Sequence, residues 1–478
     1  MSLDLERPIR NPDTASAPLM TKRARWLVVL GFLLPGTAQL LAGNRRLGRL
    51  GLAATFALLL GGLIVLGGVL WAREATLSVF TNSIVLLVVQ ILLVAYAVLW
   101  LVLGFDTLRL TKLVRVNPRW RLPVALLSVL LTVVPVLGAG WAANSVGSVR
   151  GAIGDIFGGG APAVEPVDGR YNILLLGTDA GEDREGLRPD SISLVSVDAE
   201  TGQSVIIGLP RELIEMPFPE DSPMYAVHPN GFGVAPNAFD ETWDSCLTTC
   251  YLNALYTEVE VLDDPVYEGF YADSFSRGSS PGIEATKDAV SGATGLTVQF
   301  YVLIDMDGFA SLIDALGGVT IDVKERIPVG GHEDEYGDWV DIAWYIEPGL
   351  QTLDGENAQW YARSRHGSER GDYDRMDRQR ELQAAILAQM SPANVLTRFQ
   401  EIAAAGANLV ETDIPESMLG RFVSLADKAK EFSPVMVQLT PPAVDPEYPE
   451  YGLIHQLVAD GVAAASPVPE PEEEAAEE

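Results

Sequence analysis

The sequence predicts an α/β domain with a central sheet, preceded by a group of transmembrane helices. Two observations support this prediction. The 478 residues divide sharply in charge, because residues 1–150 hold 15 of the 33 basic residues but only 5 of the 64 acidic ones. Beyond this basic and apolar segment, short apolar runs that end in glycine alternate with stretches of helical spacing, a pattern typical of α/β domains.

Residues 1–150 form the predicted membrane segment. A helix needs roughly 20 apolar residues to cross a bilayer. Uncharged stretches of about this length occupy residues 50–71, 83–105 and 122–141. A further stretch, Trp26–Gly43, is shorter and contains Pro35 and Gly36, where a continuous helix fails. We therefore predict three spans and a re-entrant or interfacial hairpin at residues 26–43, with four full spans as the alternative.

The charges of the loops predict the orientation, because basic residues favour the cytoplasmic side of a membrane. Five basic residues lie between Arg109 and Arg121, so that loop is predicted inside and everything after Trp141 outside. Four full spans would move the basic N-terminal residues outside, whereas the hairpin keeps every basic loop inside. The sequence thus predicts a multi-pass membrane protein with an extracytoplasmic domain.

A linker at 151–167 precedes the exported domain, and a disordered acidic tail at 466–478 ends the chain. The helix Met306–Leu316 is predicted from its apolar spacing and from Gly317-Gly318 after it. Residues 215–285, rich in Pro, Gly, Tyr and acids, are predicted to form long surface loops. The predicted strands are Tyr171–Gly177, Ser191–Val197, Ser204–Gly208, Thr297–Ile304 and Val319–Val323.

Composition excludes several classes of function. After residue 150 the chain holds 18 basic and 59 acidic residues, so its general field repels nucleic acid. Four histidines and two cysteines do not make a zinc cluster. Cys246 and Cys250 lie in a compartment that permits disulfides, and a disulfide and two buried thiols are both compatible with their spacing.

An arginine cluster is the strongest sign of chemistry in the exported domain. Six of its arginines fall between residues 363 and 380, and guanidinium groups suit bidentate phosphate contacts. Helical phase places Arg375 and Gln379 on the same stripe as Leu382 and Ile386, and it predicts that Arg380 points away. A solvated helix face paired with nearby acids is the alternative.

A second group of polar residues follows the predicted strands. Asp179 comes directly after the first strand, Asp190 opens the next, and Arg211 follows the third. Ligands gather at strand ends in α/β sheets. Mg²⁺ prefers a few carboxylates together with phosphate oxygens and water, so Asp179 and Asp190 are its predicted ligands.

Together these motifs resemble the LytR-CpsA-Psr family of Gram-positive cell envelopes, over roughly residues 168–410. The matching pieces are Asn172–Asp179, Arg188–Ser191, Leu209–Glu212, Asp307–Val319, Leu353–Arg365 and Gly371–Arg380. Glu212 stands where the family usually has Asp, and Tyr251 where a Lys often precedes Leu-Asn. The resemblance implies a three-layer α-β-α domain with a central mixed sheet, followed by a C-terminal extension at 411–465.

The resemblance also implies an Mg²⁺-dependent phosphotransferase that moves a glycopolymer from a polyprenyl-pyrophosphate carrier to peptidoglycan, forming a phosphodiester. The implied catalytic residues are Arg211, Arg363, Arg365 and Asp372. The implied pyrophosphate-binding residues are Arg188, Arg211, Arg363, Arg365, Arg375 and Gln379. Phe309, Leu312 and Ile313 would line a lipid pocket. A pyrophosphate hydrolase, a lipid-binding or regulatory membrane protein, and a transferase to a surface protein are the alternatives.

Overall fold

The computed structural model describes residues 9–10, 12–80, 82–157, 162–178, 188–234, 246, 249–262, 264–336, 339–365, 370–389 and 410–466. The chain divides into two compact units, Met1–Gly151 and Ala152–Glu478.

Long apolar helices make up most of the first unit. Its helices are α1 (Ala17–Leu33), α2 (Thr37–Ala42), α3 (Arg45–Trp71), α4 (Arg73–Phe80), α5 (Ser83–Thr111) and α6 (Pro118–Phe157). Among the described residues, three helical stretches are long and apolar enough to cross a membrane, namely Arg45–Trp71, Ser83–Arg115 and Pro118–Gly154. Each contains one of the predicted spans. The predicted linker, in contrast, begins inside α6, which continues to Phe157.

The chain breaks between α1 and α2, at the predicted Pro35-Gly36 step. Gly36 has φ +103°, and a Cβ on it would lie 2.4 Å from the carbonyl oxygen of Gly48 in α3. Only glycine fits both the backbone angle and this close approach. The tight turn therefore packs directly on α3. The position of this helix pair in a membrane stays a prediction.

A six-stranded mixed sheet is the centre of the second unit. The ten described strands of this unit are β1 (Arg170–Thr178), β2 (Pro189–Asp198), β3 (Ser204–Leu209), β4 (Phe300–Asp305), β5 (Val319–Val323), β6 (Ile327–Glu333), β7 (Trp339–Ile346), β8 (Gly349–Leu353), β9 (Val410–Thr412) and β10 (Val435–Gln438). The sheet has the order β10-β3-β2-β1-β4-β9. β1 with β4 and β10 with β3 are parallel, and the other neighbours are antiparallel.

Helices cover both faces of this sheet. The described helices of this unit are α7 (Pro223–Val227), α8 (Leu255–Glu260), α9 (Pro281–Thr294), α10 (Met306–Leu316), α11 (Gly355–Arg363), α12 (Asp372–Gln389), α13 (Leu419–Ala429) and α14 (Tyr451–Ala464). Side chains alternate along a strand. Leu174 and Leu176 of β1 therefore pack with α9 and α14 in one core, whereas Tyr171 packs with Phe422 of α13 in another. The predicted three-layer α-β-α fold with a mixed sheet is confirmed.

Two predictions about the margins of this domain are wrong. The segment 411–465 is not an extension, because β9 and β10 form the two edges of the same sheet. Strands of three and four residues leave too weak a pattern to detect. Residues 215–285 are not only surface loops, because Met216, Met224 and Leu255 are buried in the core beneath the sheet.

A smaller core lies around α10, α11 and α12. It joins these helices to two short antiparallel pairs, β5 with β8 and β6 with β7. Ile313 of α10 and Leu382 of α12 are buried in it. This core fixes α12 on one side, and α12 carries three of the six arginines of the cluster.

Candidate functional site

Strand pairing brings Asp190 and Arg211 together. β2 and β3 are antiparallel, and Ile192 near the start of β2 pairs with Leu209 at the end of β3. Asp190 therefore lies beside the residues that follow β3. The Arg211 Nη1 atom lies 2.5 Å from Asp190 Oδ1, and Arg211 Nη2 lies 3.1 Å from Glu212 Oε1. Two positions that are distant in sequence thus form one ion pair at the edge of the site.

The N-terminal turn of α12 adds a second carboxylate and a buried arginine. Arg375 Nη2 lies 3.0 Å from Asp372 Oδ1 and also donates to the main-chain oxygen of Asp190 at 3.0 Å. Arg365 Nε lies 3.0 Å from the same Asp372 oxygen. The Asp372 carboxylate therefore bridges two arginines, and Arg375 joins α12 to the beginning of β2.

The C-terminal end of α11 is held by two side chains of α12. Arg378 Nε donates to the carbonyl oxygen of Tyr361 at 3.0 Å, and Gln379 Nε2 donates to that of Ala362 at 3.1 Å. These are among the last carbonyls of α11, which have no partner inside the helix. The contacts position Arg363, the last residue of α11, and Arg365, two residues further on.

Burial and the neighbouring carboxylates change the pKa of these guanidinium groups in opposite directions. Burial lowers the pKa of Arg375, and the Asp372 carboxylate only partly offsets this. For Arg211 burial also acts to lower the pKa, but Asp190, Asp372 and Glu212 outweigh it and raise the pKa above its usual value. Arginine stays protonated at neutral pH in either case, so both groups present positive charge.

A polar cavity, partly open to solvent, lies between the sheet and α12. Its lining residues are Asp190, Ile192, Ser193, Gly208, Leu209, Arg211, Arg375, Met376, Gln379 and Arg380. Several buried guanidinium nitrogens here have no hydrogen-bond partner among the described residues: Nε of Arg211, Arg375 and Arg380, and Nη1 of Arg380. Buried donors are normally satisfied, so the arrangement suits a ligand rich in acceptor oxygens.

Arg380 contradicts the prediction that it points away from the site. It is only 1% exposed and lines the cavity. The reason is that α12 is buried on two sides. One side packs Leu382 into the smaller core, while the other faces the sheet, where Arg380 lies against Gly208. The periodicity of apolar residues predicts only apolar buried faces, so it could not predict a buried helix face that contains arginine.

The other predicted site residues are only partly brought together. Arg188 and Arg363 are exposed, and Asp179 lies outside the described residues. Within the described residues there is no group of three or more His, Cys, Asp or Glu that would hold a metal. Phe309 and Ile313 pack in or against the smaller core, and Leu312 is partly buried. The metal and lipid-pocket roles stay predictions.

The two cysteines form the Cys246–Cys250 disulfide. Both cysteines pack against the main core beneath the sheet. The sequence left a disulfide and two thiols open, and the structure selects the disulfide.

The geometry defines an α/β domain with an arginine-lined cavity at the start of β2 and the end of β3. The LytR_cpsA_psr family model matches residues 250–449 of the chain. The matched segment contains Arg363, Arg365, Asp372 and Arg375, whereas Asp190 and Arg211 precede it.

Curated relatives and solved structures extend this comparison. Cell wall biosynthesis protein LcpA of Corynebacterium glutamicum is 28% identical over 311 residues, which cover 60% of this chain and 53% of LcpA. The polyisoprenyl-teichoic acid–peptidoglycan teichoic acid transferase TagU of Halalkalibacterium halodurans is 35% identical over 133 residues, covering 28% and 40%. The chain thus spans about half or less of these relatives. The crystal structure of Bacillus subtilis TagV aligns with a TM-score of 0.40 at 21% identity, covering 62% of this chain and 98% of that one.

Proposed function

We propose that this protein transfers a glycopolymer from a polyprenyl-pyrophosphate carrier to peptidoglycan, forming a phosphodiester during cell-wall assembly. The observation that carries the proposal is the set of buried guanidinium donors around the cavity, which lack partners among the described residues. The similarity to TagU of Halalkalibacterium halodurans, a polyisoprenyl-teichoic acid–peptidoglycan teichoic acid transferase, supports the same reaction.

The site suits phosphoryl transfer because that reaction depends mainly on positioning and on neutralising charge. An acceptor hydroxyl attacks the phosphorus that carries the glycan. The bond from that phosphorus to the bridging oxygen breaks, polyprenyl phosphate leaves, and the hydroxyl proton passes to solvent. Arg211 and Arg375 hold the phosphate oxygens, while Asp190 and Asp372 keep these two arginines oriented.

Mg²⁺ is part of the proposal, and Asp190 fits it. The Asp190 side chain is 29% exposed, and its ion pair with Arg211 is made through Oδ1. Thr178, the residue before Asp179, pairs with Pro189, the residue before Asp190. Asp179 and Asp190 would hold the ion, and a bound Mg²⁺ would neutralise charge on the diphosphate. The arginines bind and orient the substrate.

The membrane segment supports a substrate with a lipid tail. Within the part of the chain that the structure describes, three helices are long and apolar enough to span a bilayer. The distribution of basic loops supports an extracytoplasmic catalytic domain in a multi-pass protein of the cell membrane. A polyprenyl carrier stays in the bilayer, so an enzyme anchored there meets it by diffusion in two dimensions.

The test incubates the full-length protein in lipid nanodiscs with a polyprenyl-pyrophosphate-linked glycan and Mg²⁺, with and without peptidoglycan. If the protein is a transferase, we expect glycan to become bound to peptidoglycan and polyprenyl phosphate to be released only when the acceptor is present. Cleavage without acceptor would identify a hydrolase, and modification of an added surface protein would identify a protein acceptor. Binding without turnover under all conditions would contradict an enzymatic role.

A further inference from the structure

Arg380 is a buried charge whose donors are only partly used. Its side chain is 2% exposed. Nη2 donates to Asp377, but Nε and Nη1 have no hydrogen-bond partner among the described residues. Leaving such donors unsatisfied in a protein interior is costly. Because Arg380 also lines the cavity, a ligand bound there could accept hydrogen bonds from these free donors and offset the free-energy cost of burying them.

The sheet is shaped to admit this side chain. A Cβ on Gly208 of β3 would lie 2.1 Å from Arg380 Nη1 and 3.1 Å from its Cζ. The guanidinium group therefore lies directly over the main chain of β3, in space that any other residue at position 208 would fill. Arg211, three residues further along, lines the same cavity.

The carboxylate that orients Arg380 does not depend on it. Asp377 also accepts from Arg370 Nη2 at 2.5 Å and from Gln438 Nε2 at 3.0 Å. Loss of the Arg380 guanidinium would leave Asp377 with two partners. A purely structural explanation, in which Arg380 is there to neutralise Asp377, is therefore weak.

We propose that Arg380 is a further phosphate-binding residue of this site and that it donates to an oxygen of the substrate diphosphate. The inference rests on the proposed function. It adds to the site a residue that helical phase predicted to point away from it. Burial lowers the pKa of Arg380, with Asp377 only partly opposing this. An anion placed against the two unpartnered nitrogens would relieve that cost.

Two variants of the full-length protein test the proposal. Arg380→Met removes the charge and keeps an unbranched chain of similar bulk. Gly208→Ala keeps every charge but places a methyl group where Nη1 lies. Arg326→Gln is the matched control, because Arg326 is an exposed arginine paired with Glu347 away from the cavity. Each protein is titrated with inorganic pyrophosphate and with inorganic phosphate in calorimetry, and its Tm is recorded without ligand.

We expect Arg380→Met and Gly208→Ala each to weaken pyrophosphate binding roughly tenfold or more, with Arg326→Gln unchanged. The Tm of Arg380→Met should not fall, because it loses an unsatisfied buried charge while Asp377 keeps its other partners. Wild-type affinity in either variant would overturn the proposal, and if Arg380→Met does not fold, Gly208→Ala decides. A wild-type protein that binds no pyrophosphate would instead refute the proposed function.

Discussion

Replacing Arg375 tests whether the cluster is an anion site or a solvated helix face. The Arg375 side chain is 4% exposed and pairs with Asp372 at 3.0 Å. A hydrogen bond to a charged group contributes about 1.5–3 kcal/mol. If Arg375 makes one such contact to the transferring phosphate, Arg375→Ala should lower kcat/KM roughly tenfold to 150-fold. Glycan transfer to peptidoglycan is the assay.

Arg370→Ala is the matched control on the same segment. Arg370 also pairs with carboxylates, Asp374 and Asp377, but its side chain is 49% exposed. Exposed ion pairs contribute about 0–1 kcal/mol, so this change should alter kcat/KM less than about fivefold. Lysine at position 375 should restore activity only in part, because it keeps the charge but not the bidentate fork.

Folding must be checked separately from activity. In Arg375→Ala the Asp372 carboxylate still faces Arg365, so the local structure should survive, and Tm measurements show whether it does. Equal activity losses in folded Arg375→Ala and Arg370→Ala would refute the reasoning, since exposed and buried arginines would then be equivalent.

Three further outcomes are expected. Asp190→Asn should reduce transfer and flatten its dependence on Mg²⁺, and an unchanged Mg²⁺ titration would exclude this residue as a ligand. Burial lowers the pKa of His228 to about 4, so the unfolded chain binds more protons between about pH 4 and 6.5. Stability should therefore fall by up to about 3 kcal/mol as the pH drops through that window. His228→Phe should flatten the slope of Tm against pH, whereas the exposed His455→Phe should not. In cells, an impermeant thiol reagent should label a cysteine placed at Glu74 and not one at Thr14, and labelling at Thr14 would establish four spans.

Local patterns predicted the elements whose signal lies within a few residues. Helix α10 and strand β5 have the predicted bounds, because apolar spacing and the Gly317-Gly318 step define them. The short edge strands β9 and β10 were missed, since their pairing depends on partners more than 100 residues away.

The sequence predicted most residues of the candidate site but not how they contact one another in three dimensions. The arginine cluster and the carboxylates at strand ends were visible in sequence, and Arg375 is buried as its helical phase indicated. The pairing of Asp190 with Arg211 depends on strand register. The burial of Arg380 depends on space above Gly208. Both are tertiary facts that helical periodicity does not encode.

The edge strands also determine when the domain becomes complete during synthesis. β3, which leads into Arg211, has β10 as its outer neighbour, and Arg170 at the start of β1 donates to the carbonyl oxygen of Ala465, 295 residues away. Contacts of such long sequence separation form slowly. A growing chain that ends before residue 435 contains every arginine of the cavity but leaves β3 as an open, aggregation-prone edge. The arginine-lined cavity is therefore expected to be complete only after residues 435–438 have been made.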